Sequence, residues 1–83
     1  MKLGALANAD CVADPSNGST FYQMTHDGKL HVISLSAKGV LSEQKTVDLG
    51  LTNNMSAPAV AGENLVVGGQ TATGSALAFY NLK

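Results

Sequence analysis

The sequence predicts an all-β fold of antiparallel meander hairpins, and three observations support this prediction. Short segments rich in β-branched, aromatic and aliphatic residues recur along the chain, as is typical of strands. Segments that contain Gly, Asn or Asp separate them, and these residues favour tight turns. No stretch keeps the apolar period of about 3.6 residues that marks an amphipathic helix.

The best-defined hairpin spans residues 20–35. The turn-rich segment Asp14-Pro15-Ser16-Asn17-Gly18 precedes it. Strands are predicted at 20–25 and 30–35, and Asp27-Gly28 between them is a strong signal for a hairpin. The second strand alternates between two faces, with Leu30 and Val32 on one and His31, Ile33 and Leu35 on the other. Apolar residues on both faces predict a sheet that is covered on both sides.

The rest of the chain continues the pattern of strand and turn. Gly39 and Gly62 lie in two predicted turns, where glycine can adopt a left-handed backbone conformation. Further strands are predicted at 40–49, 57–61, 65–68 and 75–82, with a loop at 50–54. Strict alternation in the first of these places Lys45, Val47 and Leu49 on one face and Gln44, Thr46 and Asp48 on the other.

Composition limits the chain to one small domain with a modest core. It has 83 residues, no Trp, two Phe and two Tyr. A chain of this size buries only about 60–65% of its unfolded surface, so its stability margin is small. Cys11 is the single cysteine and cannot form an internal disulfide. We therefore expect partner chains, or further parts of a longer chain, to supply stability.

Charge argues against nucleic acid as a partner. The net charge is −1 and charged residues make up 13% of the sequence, which leaves no basic stripe to neutralise phosphates. Apolar runs are far shorter than the roughly 20 residues that span a bilayer as a helix. The polar residues are mainly Ser, Thr, Asn and Gln, which favours a periplasmic, extracellular or cell-surface protein.

The N-terminus resembles a signal peptide, but its apolar region is too short. Lys2, a short apolar stretch and Ala7-Asn8-Ala9 follow the order of its three regions. The apolar stretch is shorter than the about 7–15 residues of a working signal. We therefore treat residues 1–12 as an N-terminal segment and expect it to be partly disordered.

An internal repeat divides the remainder into two units. Residues 20–24 align with 65–69, and residues 30–35 align with 77–82. Each unit is then a strand, a polar turn with Gly and a second strand. The period is close to the about 40–50 residues of a four-stranded propeller blade. The repeat predicts two blade-like units, 13–54 and 55–83, of which the second is partial.

Two segments resemble the quinoprotein-like (PQQ-like) β-propeller repeat. The stretch from Ser56-Ala57-Pro58 to Val66-Val67-Gly68 is similar to the opening of such a blade. Asp27-Gly28-Lys29 and the apolar strand after it are similar to its inner hairpin. The resemblance covers residues 13–83 and implies propeller-blade architecture, with a small β-sandwich as the alternative fold.

The sequence departs from the enzymes of that family at one place. Their blades carry a Trp that docks one blade on the next, whereas Ser42 and Glu43 stand in that region here. The resemblance therefore implies a non-catalytic scaffold or binding protein without a quinone cofactor. A propeller needs about 4–8 blades, so we expect the chain to associate with other blades of a longer chain or with its own copies through strand edges.

One local cluster could support acid–base or metal chemistry. It consists of His26, Asp27 and His31. A zinc site needs three or four converging ligands, and Asp27 is already explained by the turn. We expect these residues to serve the turn and the surface, and we predict no catalytic, cofactor or metal site.

Two other candidate sites, a cysteine nucleophile and a calcium-binding loop, each lack a residue that the chemistry requires. Cys11 has no neighbouring His that could activate it as a nucleophile. A loop rich in oxygen ligands lacks the spacing and the closing Glu of an EF-hand. Its residues are Asp10, Asp14, Asn17 and Gly18.

Three further patterns are a Gly-rich segment, two glycosylation triplets and a set of aromatic residues. Gly68-Gly69 with residues 71–74 lacks the Lys of a phosphate-binding loop. Asn17-Gly18-Ser19 and Asn54-Met55-Ser56 match the acceptor pattern for N-glycosylation. Four aromatic residues are expected in the core or between blades: Phe21, Tyr22, Phe79 and Tyr80.

These observations predict a non-catalytic structural or protein-interaction module of an exported or cell-surface bacterial protein. The alternatives are a fragment of a quinoprotein-type enzyme, whose active site would lie elsewhere, and an adhesin-like β-sandwich domain. Strand order discriminates between the folds, because a blade is a meander whereas a sandwich uses Greek-key connections.

Overall fold

The computed structural model describes residues 11–54 and 57–82, and within them every regular element is a strand. The strands are β1 Val12–Asp14, β2 Asn17–Met24, β3 Lys29–Leu35, β4 Leu41–Asp48, β5 Asn53–Asn54, β6 Ala59–Ala61, β7 Asn64–Thr71 and β8 Gly74–Asn81. The all-β prediction is confirmed. The signal-like stretch, Asp10, and Met55 and Ser56 of the second glycosylation triplet lie outside the described residues.

The strands form two antiparallel sheets that are built from meander hairpins. The first has the order β1-β2-β3-β4. In the second, β8 pairs along the whole length of β7, while β5 and β6 pair with the two ends of the other edge of β7. Strands that are neighbours along the chain pair within each sheet, except that β5 pairs with β7 rather than with β6. The predicted meander of hairpins is confirmed.

Four strands differ from the prediction by more than two residues. β1 and β5 lie in segments that were assigned to a turn region and a loop, and β2 begins at Asn17, within the predicted turn. β7 continues through Gly68-Gly69 to Thr71. Gly-rich sequence has little intrinsic strand propensity. Pairing with β8 along one edge and with β5 along the other holds it extended.

One core lies between the facing sides of the two sheets. Its buried members are Tyr22, Met24, Leu30, Val32, Leu51, Leu65 and Val67. Tyr22 and Tyr80 link the sheets with ring centroids 6.3 Å apart, and Lys45 Nζ lies 5.3 Å from the Tyr80 ring centroid. Leu30 and Val32 face this core while His31 and Ile33 are buried on the other side, which confirms the predicted faces of β3.

The register of the hairpins corrects the repeat alignment. Tyr22 pairs with Val32, and both face the core. Val67, which aligns with Tyr22, pairs with Ala78 rather than with Phe79. Phe79, which the alignment equates with Val32, is 72% exposed. The second strand of the repeat is therefore misaligned by one residue, and a slip of one residue exchanges the faces of a strand.

Leu51 joins the two sheets at a point where two glycines make room for it. Gly28 has a φ of 79°, which favours glycine, and a Cβ there would lie 2.3 Å from the carbonyl oxygen of Leu51. A Cβ on Gly69 would lie 2.8 Å from Cδ1 of Leu51. The β2–β3 turn of the first sheet and strand β7 of the second sheet therefore both contact Leu51.

Gly28→Ala should destabilise the fold more than Gly39→Ala. The two glycines have φ values of 79° and 81°, so both substitutions carry a similar backbone strain of about 1–2 kcal/mol. Only position 28 adds a clash with Leu51, since nothing lies within 4 Å of a Cβ at position 39. We expect the overpacking to add about 1–3 kcal/mol in urea unfolding. Equal losses for the two variants would contradict the close approach of Leu51.

Candidate functional site

Buried polar side chains collect on the face of the first sheet that points away from the core. Among the described residues they are Gln23, Thr25 and His31. Gln23 and His31 are paired across β2 and β3, so their side chains share this face. A buried polar group needs hydrogen-bond partners, and those of His31 come from two neighbouring elements.

A β-bulge in β4 brings Glu43 to His31. His31 pairs with Thr46, and Ile33 pairs with Glu43, with a register shift between them. Strict alternation would place residues 43 and 46 on opposite faces, but the extra residue of the bulge returns both to the face of His31. His31 Nδ1 lies 2.7 Å from Glu43 Oε1, and the Thr46 hydroxyl donates to the same oxygen.

The bulge also corrects the predicted faces of β4. Gln44 was expected on the same face as Thr46, but its amide donates to the Ser34 and Ser42 hydroxyls at 2.7 and 3.0 Å. Ser34 and Ser42 are paired across β3 and β4. Ser34 shares its face with Val32, so Gln44 lies on the core side of the sheet. Simple alternation therefore holds only for the part of β4 after the bulge.

The turn between β2 and β3 supplies the second partner of His31. Thr25 is fully buried, and its hydroxyl oxygen lies 3.0 Å from His31 Nε2 and donates to the Asp27 carboxylate. The Gly28 amide donates to the Thr25 carbonyl at 3.0 Å, which confirms the predicted turn. We call the connected side chains the His31 network: Asp27, Thr25, His31, Glu43 and Thr46.

Hydrogen bonds lower the pKa values of the carboxyl groups around this hairpin. The Thr25 hydroxyl is the main cause that holds the pKa of Asp27 below its ordinary value. The Thr46 hydroxyl, followed by His31, does the same for the pKa of Glu43. At the β1–β2 turn the Tyr22 hydroxyl donates to Asp14 at 2.5 Å and lowers the pKa of Asp14.

The order Thr25–His31–Glu43 has the connectivity of a nucleophile, a base and an orienting carboxylate. Two features argue against this chemistry in the described conformation. Thr25 has no exposed surface that a substrate could reach, and the Asp27 carboxylate competes with His31 for its hydroxyl proton. The geometry therefore supports a structural role for the His31 network.

The sequence candidates have different outcomes. Asp27 and His31 lie in one network, and His26 is exposed at the same turn. The expected surface position is wrong for His31, which is buried. Cys11 is an exposed free thiol. Asp14 accepts the Ser16 amide at 2.8 Å within its own turn. In the part of the chain that the structure describes, no three His, Cys, Asp or Glu side chains are arranged to hold a metal ion.

Three members of the His31 network were not among the residues predicted from the sequence. Thr25, two residues before the turn Asp, carries a local signal, because hydroxyl groups near turns bond to neighbouring polar groups. Glu43 and Thr46 carry no such signal, since their shared face depends on the bulge.

Comparisons with models of protein families, with curated proteins and with solved structures gave no match. The described residues contain no helix that is long and apolar enough to cross a membrane. The resemblance to the quinoprotein-like repeat therefore stays a prediction.

Acid should destabilise the fold in the pH range where Asp14, Asp27 and Glu43 become protonated. A carboxyl group with a lowered pKa stabilises the folded state above its unfolded pKa, and this contribution is lost as the pH falls through the folded pKa. The ordinary pKa values are 3.8 for Asp and 4.5 for Glu. We therefore expect the free energy of unfolding, measured with urea, to fall below about pH 5.

A matched pair of variants tests the contribution of Asp14. Tyr22→Phe removes the hydroxyl that lowers the pKa of Asp14, so the decrease in acid should be smaller than in the parent chain. Tyr80→Phe leaves the bond to Asp14 in place and should keep the full decrease. If the free energy of unfolding of Tyr22→Phe falls in acid as much as that of the parent chain, the Tyr22 hydroxyl is not what lowers the pKa of Asp14.

Proposed function

We propose that this chain is a non-catalytic structural and protein-interaction module, derived from a β-propeller, that associates through strand β8. Its partners are further sheets of the same kind, from a longer chain or from copies of itself. We also propose an exported or cell-surface location, on the basis of its composition.

The exposed side chains of β8 carry the proposal. Leu77 and Phe79 are 78% and 72% exposed and, together with Ala61 and Val66, line an open groove of about 370 Å³. They project from the outer face of the second sheet, because the residues between them face the core. Adjacent exposed apolar side chains are typical of interaction surfaces.

The edge of β8 is also unprotected against strand pairing. Within the described residues β8 pairs with β7 alone, and Gly74–Asn81 contains no charged residue and no Pro. Such an edge is a template for another strand. By contrast, β4 at the edge of the first sheet carries Glu43, Lys45 and Asp48, and charges of this kind hinder pairing.

The arrangement of the sheets supports a propeller origin. Strands β1 to β4 of the first sheet and β6 to β8 of the second form meanders, and the two sheets share one core, as consecutive blades do. In a propeller the outer face of a blade packs against the next one, which would account for the apolar outer face of β8. A non-catalytic role is supported by the buried position of Thr25 and by the loss of the docking Trp.

Solution mass should depend on Leu77 and Phe79. We expect light scattering of the purified chain to show a mass that rises with concentration to a dimer or a larger species. The double variant Leu77→Lys, Phe79→Lys should remain monomeric, because it adds charge to both the face and the edge of β8. Val40→Lys is the control, since Val40 is 60% exposed but lies in the first sheet region; its mass should match the parent chain.

Two results would contradict the proposal. One is a folded parent chain that stays monomeric at every concentration. The other is an equal loss of association in Val40→Lys, which would show that β8 is not the contact. The chain could associate by strand pairing at the edge of β8 or by packing of its apolar outer face. Amide hydrogen exchange distinguishes the two, because strand pairing protects the β8 amides from exchange whereas packing of the faces does not.

A further inference from the structure

The protonation of Nε2 decides which acceptor the Thr25 hydroxyl serves in the His31 network. An ionised carboxylate only accepts hydrogen bonds, so the Nδ1 that faces Glu43 carries a proton. Thr25 has a single hydroxyl proton and three acceptors within reach: the Asp27 carboxylate, the Lys29 carbonyl at 3.4 Å and, when it is unprotonated, Nε2 of His31 at 3.0 Å. When Nε2 carries a proton, the Thr25 oxygen accepts from the ring and the hydroxyl donates to Asp27. The geometry therefore allows two arrangements, which differ by one proton on Nε2.

We propose that the His31 network is a proton-operated latch on the β2–β3 turn. The latch is closed when both ring nitrogens of His31 carry protons. When Nε2 releases its proton to water, this nitrogen becomes an acceptor. The Thr25 hydroxyl then rotates to donate to Nε2, and Asp27 loses its bond to Thr25. Nδ1 keeps its proton, because Glu43 can only accept.

The charged groups around His31 define the latch. From the turn, Asp27 and the exposed His26 lie nearby, and Lys29 begins the strand of His31. From β4, Glu43 contacts the ring, and Asp48 pairs with Lys29 at the end of the same face. From β2 the neighbours are the uncharged Gln23 and Thr25. The ring thus lies between two carboxylates, one bonded directly and one through a hydroxyl.

Opening the latch would act on the junction of the two sheets. Asp27 accepts hydrogen bonds from the Thr25 hydroxyl and from the Lys29 amide, the latter at 3.3 Å. These bonds stabilise the turn that contains Gly28. The backbone of Gly28 lies against the Leu51 carbonyl, and Leu51 belongs to the shared core. A proton on His31 is therefore linked, through the turn, to the residue that joins the sheets. This linkage does not depend on the proposed association through β8.

Nitrogen NMR of the labelled chain tests the latch. Spectra that correlate the ring nitrogens with carbon-bound ring protons report which nitrogen is protonated, and we would record them from about pH 4 to pH 9. The His26→Gln variant serves as the parent, so that His31 is the only histidine in the chain. We expect two protonated ring nitrogens at low pH and loss of the proton from Nε2 alone as the pH rises. The Gly28 and Lys29 amide signals should shift with the same midpoint.

Substitutions at Thr25 and Asp27 separate the latch from a simple ring titration. Thr25→Val keeps the branched shape without the hydroxyl, so the ring should still titrate while the Gly28 and Lys29 amides lose most of their shift. Thr25→Ser restores the hydroxyl and should restore the coupled shift. Should Thr25→Val fail to fold, Asp27→Ala at the exposed turn removes the acceptor and should have the same effect.

Three results would overturn the proposal. The first is a His31 ring that keeps one protonation state over the whole range. The second is loss of the proton from Nδ1 rather than from Nε2. The third is a set of turn amides that follow His31 equally well in Thr25→Val or Asp27→Ala.

Discussion

The packing of two small sheets on one apolar core is the constraint on which the rest of the structure depends. An isolated sheet of three or four short strands has little stability unless one face is covered. Each sheet here covers the other, with Leu30 of the first and Leu65 of the second both fully buried. Full burial of such a side chain contributes about 1.5–3 kcal/mol. β8 adds Ala76, Ala78 and Tyr80 to this core, whereas its alternate side chains Leu77 and Phe79 remain outside.

The β2–β3 hairpin connects this core to the polar chemistry of the chain. One face of β3 gives Leu30 and Val32 to the core, while the other buries His31 between Thr25 and Glu43. The turn of the same hairpin meets Leu51 at Gly28. Packing, hydrogen bonding and the junction of the sheets therefore converge on one short segment, whereas the proposed interaction surface lies on the opposite sheet.

Local chemistry explains which features could be predicted from the sequence. Asp27-Gly28 specifies its turn through its own residues, and the alternation of β3 specifies its two faces, so both predictions are confirmed. The face of Glu43 depends on a bulge, and the extension of β7 through Gly69 depends on its partner strands. Neither cause is local to the sequence. The repeat alignment is wrong by one residue because its turns differ in length, which sequence similarity alone did not resolve.

Native-state hydrogen exchange in Leu65→Ala tests the shared core most directly, with Leu77→Ala as a control of identical chemistry. Leu65 is fully buried and Leu77 is 78% exposed. The account predicts that the slowest amides of β3 and of β7 lose the same protection in Leu65→Ala, about 2–5 kcal/mol, and change by less than about 0.5 kcal/mol in Leu77→Ala. Loss of protection confined to the second sheet, with β3 unchanged, would contradict the shared core.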